Sequence, residues 1–118
     1  MSWNLSSDRP IFVQLVEHIE FDIVSGTLPP GGRFPSVREL ASDASVNPNT
    51  MQRALSELER KGLLRTERTS GRFVTDDENA ITSLKKELAS SGVDGFVGQM
   101  KQLGLAKDEV LELVSEKY

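Results

Sequence analysis

Ser36-Val37-Arg38-Glu39-Leu40-Ala41-Ser42-Asp43-Ala44-Ser45-Val46-Asn47-Pro48-Asn49-Thr50-Met51-Gln52-Arg53-Ala54-Leu55 is the stretch that decides the fold. Ser36 and Glu39 stand at the S-x-x-E spacing with which a helix start satisfies two orphan N–H groups reciprocally. Val37, Leu40, Ala41 and Ala44 then make one apolar stripe, a helix of about two turns. Ala44-Ser45-Val46 breaks it. Asn47-Pro48 starts a second helix: an Asx cap, then a proline where a missing N–H costs nothing. Met51, Ala54, Leu55 and Leu58 recur at i, i+3, i+4 and i+7 and form its buried face. Asn49, Thr50, Gln52, Arg53, Ser56, Glu57 and Arg60 lie off that face. Lys61-Gly62 closes the helix with a cation at its negative end and a C′ glycine.

Upstream, Pro10 opens a helical pattern in which Phe12, Leu15, Val16, Ile19 and Ile23 share one stripe, ended by Ser25-Gly26. Leu28-Pro29-Pro30-Gly31-Gly32 is a turn-rich connection too short to separate domains. Downstream, Leu63–Glu67 and Arg72–Thr75 read as two short strands around the turn Arg68-Thr69-Ser70-Gly71, a β-hairpin with a basic tip. After Asp76-Asp77-Glu78 the composition shifts. Ile81, Leu84, Leu88, Phe96, Met100 and Leu103 can lie on one helical face, but Ser90-Ser91-Gly92, Gly95 and Gly98 weaken its middle. A kinked or broken helix and a helix closely packed on its glycine face both fit. Gly104 ends that segment. Asp108-Glu109 sit in the first turn of a last helix, with Val110, Leu111 and Val114 inward.

Composition removes several function classes. Cys is absent and His occurs once, at His18, which excludes disulfides, Cys/His zinc sites and Cys nucleophiles. His18, beside the first stripe, reads as a surface or boundary residue with no acid–base constellation around it. No metal, cofactor or enzymatic activity is expected. No apolar run is long enough to span a membrane. The start, Met1-Ser2-Trp3-Asn4, lacks the basic and apolar regions of a leader, so a cytoplasmic protein is the expectation. Trp3 reads as a packing residue.

The net charge of −4 argues by itself against a nucleic-acid partner, and its distribution reverses that argument. Residues 1–75 carry nine positive and nine negative charges, whereas residues 76–118 carry five lysines against nine acids. Every arginine precedes residue 75, and within 33–72 eight basic residues face five acidic ones. Arginine is the side chain suited to bidentate contact with phosphate and guanine.

The order of helix, short helix, tight turn, helix with a polar start and basic hairpin is a winged helix-turn-helix plan, mainly α with a small β-hairpin. In such a plan the second helix of the pair presents its first turns to the major groove, where Asn and Gln pair with adenine and Arg with guanine. Arg68 and Arg72 on the hairpin are placed to reach phosphates or the neighbouring minor groove. The expected organisation is a DNA-binding domain over 1–75, with a recognition helix at 47–61 and a wing at 63–75, followed by a helical tail over 76–118.

These residues also resemble a known family. Phe34-Pro35-Ser36-Val37-Arg38-Glu39-Leu40-Ala41 is similar to the Leu-Pro-Ser-x-Arg-x-Leu-Ala signature of GntR-type transcription regulators, and Val46 to Leu55 to that family's recognition helix. Leu58-Glu59-Arg60-Lys61-Gly62-Leu63-Leu64, Gly71-Arg72-Phe73-Val74 and the opening Asp8 to Leu15 match in order and spacing, so the resemblance covers residues 8–75. It implies that Ser36 and Arg38 in the short helix, Asn47, Asn49, Thr50, Gln52 and Arg53 in the recognition helix, and Gly71 at the wing tip meet DNA. Three positions depart from the family pattern. Thr69 replaces a wing glycine, Ser45 stands where the turn often has Gly, and Pro48 occupies the place of a contacting Arg in other branches.

The Asn47-Pro48-Asn49-Thr50 form and the tail Gln99 to Leu105 with its short last helix resemble the YtrA-like branch. A two-helix appendage cannot by itself enclose a ligand pocket of roughly 300 Å³ or more, but it can form an isologous interface. The resemblance implies a dimerisation module, with Leu84, Leu88, Phe96, Met100, Leu103, Val110, Leu111 and Val114 as its apolar contacts. Two recognition helices related by a two-fold axis would read a palindromic double-stranded operator with half-sites about one turn, roughly 34 Å, apart. The expected function is a DNA-binding regulator, a repressor acting as a homodimer. The alternative is a winged-helix protein-interaction module that binds no DNA. A small-molecule effector stays open, as does its absence.

Overall fold

Leu15, Ile19 and Ile23 on one helix and Met51, Leu55 and Leu58 on another are almost completely excluded from solvent, and the fold is built around that pair of stripes. In the computed structural model, which describes residues 3–118, the order is α1 (Ile11–Val24), β1 (Arg33–Phe34), α2 (Val37–Ala44), α3 (Pro48–Arg60), β2 (Leu64–Glu67), β3 (Gly71–Val74), α4 (Glu78–Gln102) and α5 (Lys107–Lys117). Met1 and Ser2, where the reading of the chain start began, lie outside the described residues. The described chain divides into two compact units, one ending at Lys85 and the other Lys86–Tyr118. No described helix is long and apolar enough to cross a membrane.

In the first unit α3 packs on both α1 and α2. Ala54 as well as Met51, Leu55 and Leu58 is fully buried, and Leu40 and Ala41 cover the α2 side. Deleting a buried Leu of this kind typically costs about 2–5 kcal/mol, so the helix trio is held by its apolar faces rather than by propensity. Polar ties fix its edges. Lys61 Nζ at the end of α3 reaches Glu20 Oε2 on α1 at 2.8 Å, and the Glu20 side chain is only 6% exposed. The buried Gln14 carboxamide accepts from Ser6 N at 2.8 Å and donates to the carbonyls of Ser6 and Arg9, which pins the incoming chain to α1. Trp3 does pack: its ring stacks on His18 with centroids 4.2 Å apart, and its indole N–H donates to Asp43 at 2.9 Å. His18 is accordingly a half-buried boundary residue, 3.3 Å from Asp22.

The expected hairpin is present, and the structure adds a third strand to it. Antiparallel order is β1-β3-β2, with Arg33 opposite Phe73 and Leu64 opposite Val74. A two-residue strand carries no periodicity to read, which is why the sequence assigns Arg33-Phe34 to no strand. Its pairing buries Phe34 and ties the wing to the start of α2.

Residues 78–102 form one helix rather than a broken one. A Cβ at Gly92, Gly95 or Gly98 would meet nothing within 4 Å, so no close packing against these glycines occurs within the chain. Asp77 caps α4, its Oδ1 accepting from Asn79 N at 3.0 Å. One assignment from the sequence needs correction. Leu84 is 5% exposed, already covered by its own chain, so it has no surface left to offer a partner.

Ser36 caps α2 through the reciprocal bonds its spacing implied: its hydroxyl accepts from Glu39 N at 3.1 Å, and the Glu39 carboxylate accepts from Ser36 N. The helix ends at Ser45, in the left-handed region at φ 57°, with Val46 N–H returning to Ala41 O at 3.0 Å. That closure favours glycine, because a Cβ crowds the following carbonyl. Ser45→Gly is therefore expected to stabilise the protein by about 0.5–1 kcal/mol and to raise the thermal midpoint by roughly 2–6 °C. A midpoint at or below that of the wild type would show that this turn stores no strain.

Candidate nucleic-acid interface

The side of α3 opposite its buried stripe starts at a capped end. Asn47 Oδ1 accepts from Asn49 N at 2.7 Å, so the Asn47 carbonyl oxygen is committed to the cap and only its NH₂ group faces outward freely. Asn49, Gln52 and Arg53 are exposed and Thr50 is half-buried. Gln52 donates to Ser56 Oγ at 3.1 Å, which lays its amide along the helix. The first turn of α3 contains no acid. The positive end of the helix dipole lies there, but its N–H groups are taken: Pro48 has none, Asn49 N donates to Asn47 Oδ1, and Thr50 N donates to the Asn47 carbonyl at 3.0 Å.

A groove of about 670 Å³ runs between the start of α2 and the wing. Ser36, Gly71 and Arg72, three of the residues singled out in the sequence, line it together with Arg33, Thr66 and Glu39. Gly71 suits this place because its φ of 106° is one that residues with a side chain rarely adopt; the Arg33 guanidinium beside it leaves ordinary van der Waals room. Arg33 is the residue that sequence reasoning missed. It counted toward the local positive excess, but only the β1–β3 register brings it beside the wing.

The arginines of the first unit fall into two groups. Arg9 pairs with Glu17, Arg60 with Glu57, Arg65 with Glu67, and Arg72 with Glu59. Arg33, Arg38, Arg53 and Arg68 are exposed and make no ion pair among the described residues. Arg38 stands on α2, Arg53 on α3 and Arg68 at the wing tip. Three of the arginines read from the sequence as DNA contacts are therefore among those outside any ion pair. The fourth, Arg72, differs. Its side chain is 16% exposed and its Nε donates to Glu59 at 2.7 Å, so it braces the wing and can offer only the outer end of its fork to the groove.

Glu59 holds the wing from the end of α3. Its Oε1 accepts from Thr66 Oγ1 at 2.6 Å as well as from Arg72. Burial works against its charge, but the bonds from Thr66 and Arg72 outweigh burial and hold its carboxyl below the usual range.

The sequence profile described as "Bacterial regulatory proteins, gntR family" matches residues 12–74. The chain is 43% identical over 112 residues to the uncharacterized HTH-type transcriptional regulator YhcF of Bacillus subtilis (strain 168), covering 95% of this chain and 93% of that one. It is 34% identical over 94 residues to the HTH-type transcriptional repressor YtrA of the same organism, covering 75% and 72%. A GntR family transcriptional regulator from Listeria monocytogenes superposes with a TM-score of 0.88 at 36% identity, covering 95% of this chain and 98% of its own.

The Glu59 clamp makes a pH-dependent prediction. A carboxyl held below its usual range stabilises the fold above the ordinary Glu pKa, and that contribution disappears as pH falls through the depressed value. Glu59→Gln is expected to lower stability at pH 7 by about 1 kcal/mol. The gap between variant and wild type should close in the acid range below the ordinary value. Denaturant titration at neutral and acid pH measures both, and a pH-independent gap would reject the charge-based account.

Proposed function

The chain belongs to the gntR family of bacterial regulatory proteins, and from that membership we infer that it is a repressor working as a homodimer on a palindromic operator. The family makes it a transcriptional regulator with a DNA-binding winged helix-turn-helix. The observation that carries the finer reading is the division of its arginines. Acids pair with Arg9, Arg60, Arg65 and Arg72, whereas among the described residues Arg38, Arg53 and Arg68, on the elements that would enter or flank a groove, make no ion pair. Charges outside any ion pair beside an acid-free helix start suit a phosphate backbone, and the Asn49, Thr50 and Gln52 side chains suit base edges. Ser36, Asn47, Gly71 and Arg72 then act as shapers of the surface, through caps, turn and brace, with their remaining polar atoms toward DNA.

Residues 1–75 are the reading head in this account, and the tail from residue 76 supplies the dimer contacts. The second compact unit leaves large apolar side chains uncovered: Phe96 is 38% exposed, Leu103 70%, Leu111 54% and Val114 40%. Leu88, Met100 and Val110 are half-buried among them. A second copy of the same surface, related by a two-fold axis, would cover these groups and set two recognition helices at operator spacing. Repression would follow from occupying a promoter; the related YtrA is named a transcriptional repressor. The site of action is the cytoplasm, where bacterial DNA lies.

Binding to duplexes selected from random DNA should weaken steeply between two salt concentrations, because phosphate contacts release counterions. Arg38→Ala should cost about 1–3 kcal/mol of selected-duplex affinity if Arg38 pairs with a base. If it meets only phosphate, all duplexes should weaken equally and the salt slope should become shallower. Wild-type affinity in that variant removes Arg38 from the interface. Salt-independent or absent binding favours a protein-interaction module instead. In sedimentation, Leu111→Asp should shift a dimer toward monomer; an unchanged mass would reject the tail as the dimer surface.

A further inference from the structure

Phe12 has the spacing of a core residue on the α1 stripe, yet its ring is only half-buried while Leu15, Ile19 and Ile23 behind it are closed to solvent. What covers the ring is a charge. The Arg53 guanidinium lies over it, Cζ 3.9 Å from the ring centroid. The donors of a guanidinium lie in its plane, so a ring on its face occupies none of them. The contact therefore restricts a long, mobile side chain while leaving its hydrogen-bonding edge unused.

The acid nearest along the helix feels the Arg53 charge but makes no hydrogen bond or ion pair with it. Glu57 stands one turn beyond Arg53, but both of its carboxylate oxygens are taken by Arg60, through Nε at 3.0 Å and through Nη2. Arg65 supplies the contrast. It also lies over an aromatic ring, Phe73, at 5.1 Å, but its charge is paired with Glu67. Arg53 alone among the described arginines combines a ring on its face with freedom from any ion pair.

We propose that Phe12 is a positioning residue for DNA binding: its ring holds the Arg53 guanidinium in a pre-ordered pose with its donor edge toward a DNA phosphate or base. This rests on the DNA-binding reading above and adds to it a residue of α1 that touches no DNA. The physical gain is entropic. An unrestrained arginine must give up rotamer freedom on binding, whereas one already stacked has less to lose.

The test uses the full chain and a duplex recovered from random-sequence DNA by selection with the wild-type protein. Phe12→Leu keeps apolar bulk and removes the π face, whereas Phe12→Tyr keeps the π face. Phe12→Leu should weaken binding about three- to fivefold, with Phe12→Tyr close to wild type. In an Arg53→Ala background Phe12→Leu should add no further loss, because no guanidinium remains to be placed. Thermal midpoints measured alongside separate this from helix packing, which would lower the midpoint of Phe12→Leu and leave the affinity of the folded protein unchanged. Wild-type affinity in folded Phe12→Leu, or an undiminished loss in the Arg53→Ala background, overturns the positioning role. Arg53→Ala alters an exposed residue and folds whatever happens to Phe12→Leu; wild-type affinity in that variant also overturns it. Absence of salt-dependent duplex binding by the wild type would instead remove the DNA-binding reading, and the positioning role with it.

Discussion

The first unit depends on α3 being wedged between α1 and α2. Met51, Ala54, Leu55 and Leu58 are all at 0% exposure, so the helix has no freedom to rotate about its axis without bringing an apolar residue into water or a polar one into the core. That constraint fixes which side chains remain outside. Asn49, Gln52 and Arg53 are presented together because the opposite stripe cannot turn. The same wedge sets the wing. Glu59, on the last turn of α3, reaches Thr66 and Arg72 across the hairpin, and Leu63 and Leu64 are buried immediately after the helix ends. Packing of one helix thus positions both the reading surface and its flank.

Charge is arranged on that frame with some economy. In this unit acids pair with Arg9, Arg60, Arg65 and Arg72, and among the described residues Arg33, Arg38, Arg53 and Arg68 make no ion pair. An exposed ion pair contributes little to stability, typically under about 1 kcal/mol. The pairs at Arg9, Arg60 and Arg65 therefore contribute little to holding the fold, and their main effect is to cancel charge at those positions. The Glu59 pair is different in kind, since a carboxylate that accepts two bonds at the foot of the hairpin restrains the wing. The whole-chain charge of −4 conceals all of this, because its excess of acids lies in residues 76–118.

Much of the architecture was legible because its signals are local. The capping box at Ser36, the Asx-Pro start at Asn47, the stripes of α1 and α3, and the glycine of the wing turn each follow from spacing within a few residues, and the structure carries all of them. The failures are non-local. β1 is two residues long and exists only through pairing with β3, some forty positions away, so Arg33 could not be joined to the groove from its neighbours alone. The commitment of Arg72 to Glu59 spans thirteen positions, and the stacking of Arg53 on Phe12 joins two helices. The sequence supplies candidate side chains for a nucleic-acid surface; which of them are tied up in other bonds depends on tertiary contacts that periodicity does not encode.

The tail shows the opposite problem, where helical signals were weak and the helix formed nonetheless. Three glycines at Gly92, Gly95 and Gly98 each cost about 1 kcal/mol relative to Ala in a helix interior, and isolated helices depend on packing for most of their stability. Within the chain those glycines touch nothing, and no residue of Lys86–Tyr118 is fully buried. A unit of this size with a glycine-weakened helix and uncovered Phe96, Leu103, Leu111 and Val114 has too little core to hold itself together. Under the proposed dimer reading a partner surface would resolve both deficits at once: it would cover the apolar groups, and its burial would offset the glycine cost. In that reading the partner is a second copy of the chain, because a reading head with one recognition helix would gain operator length, and with it specificity, from a second head fixed beside it.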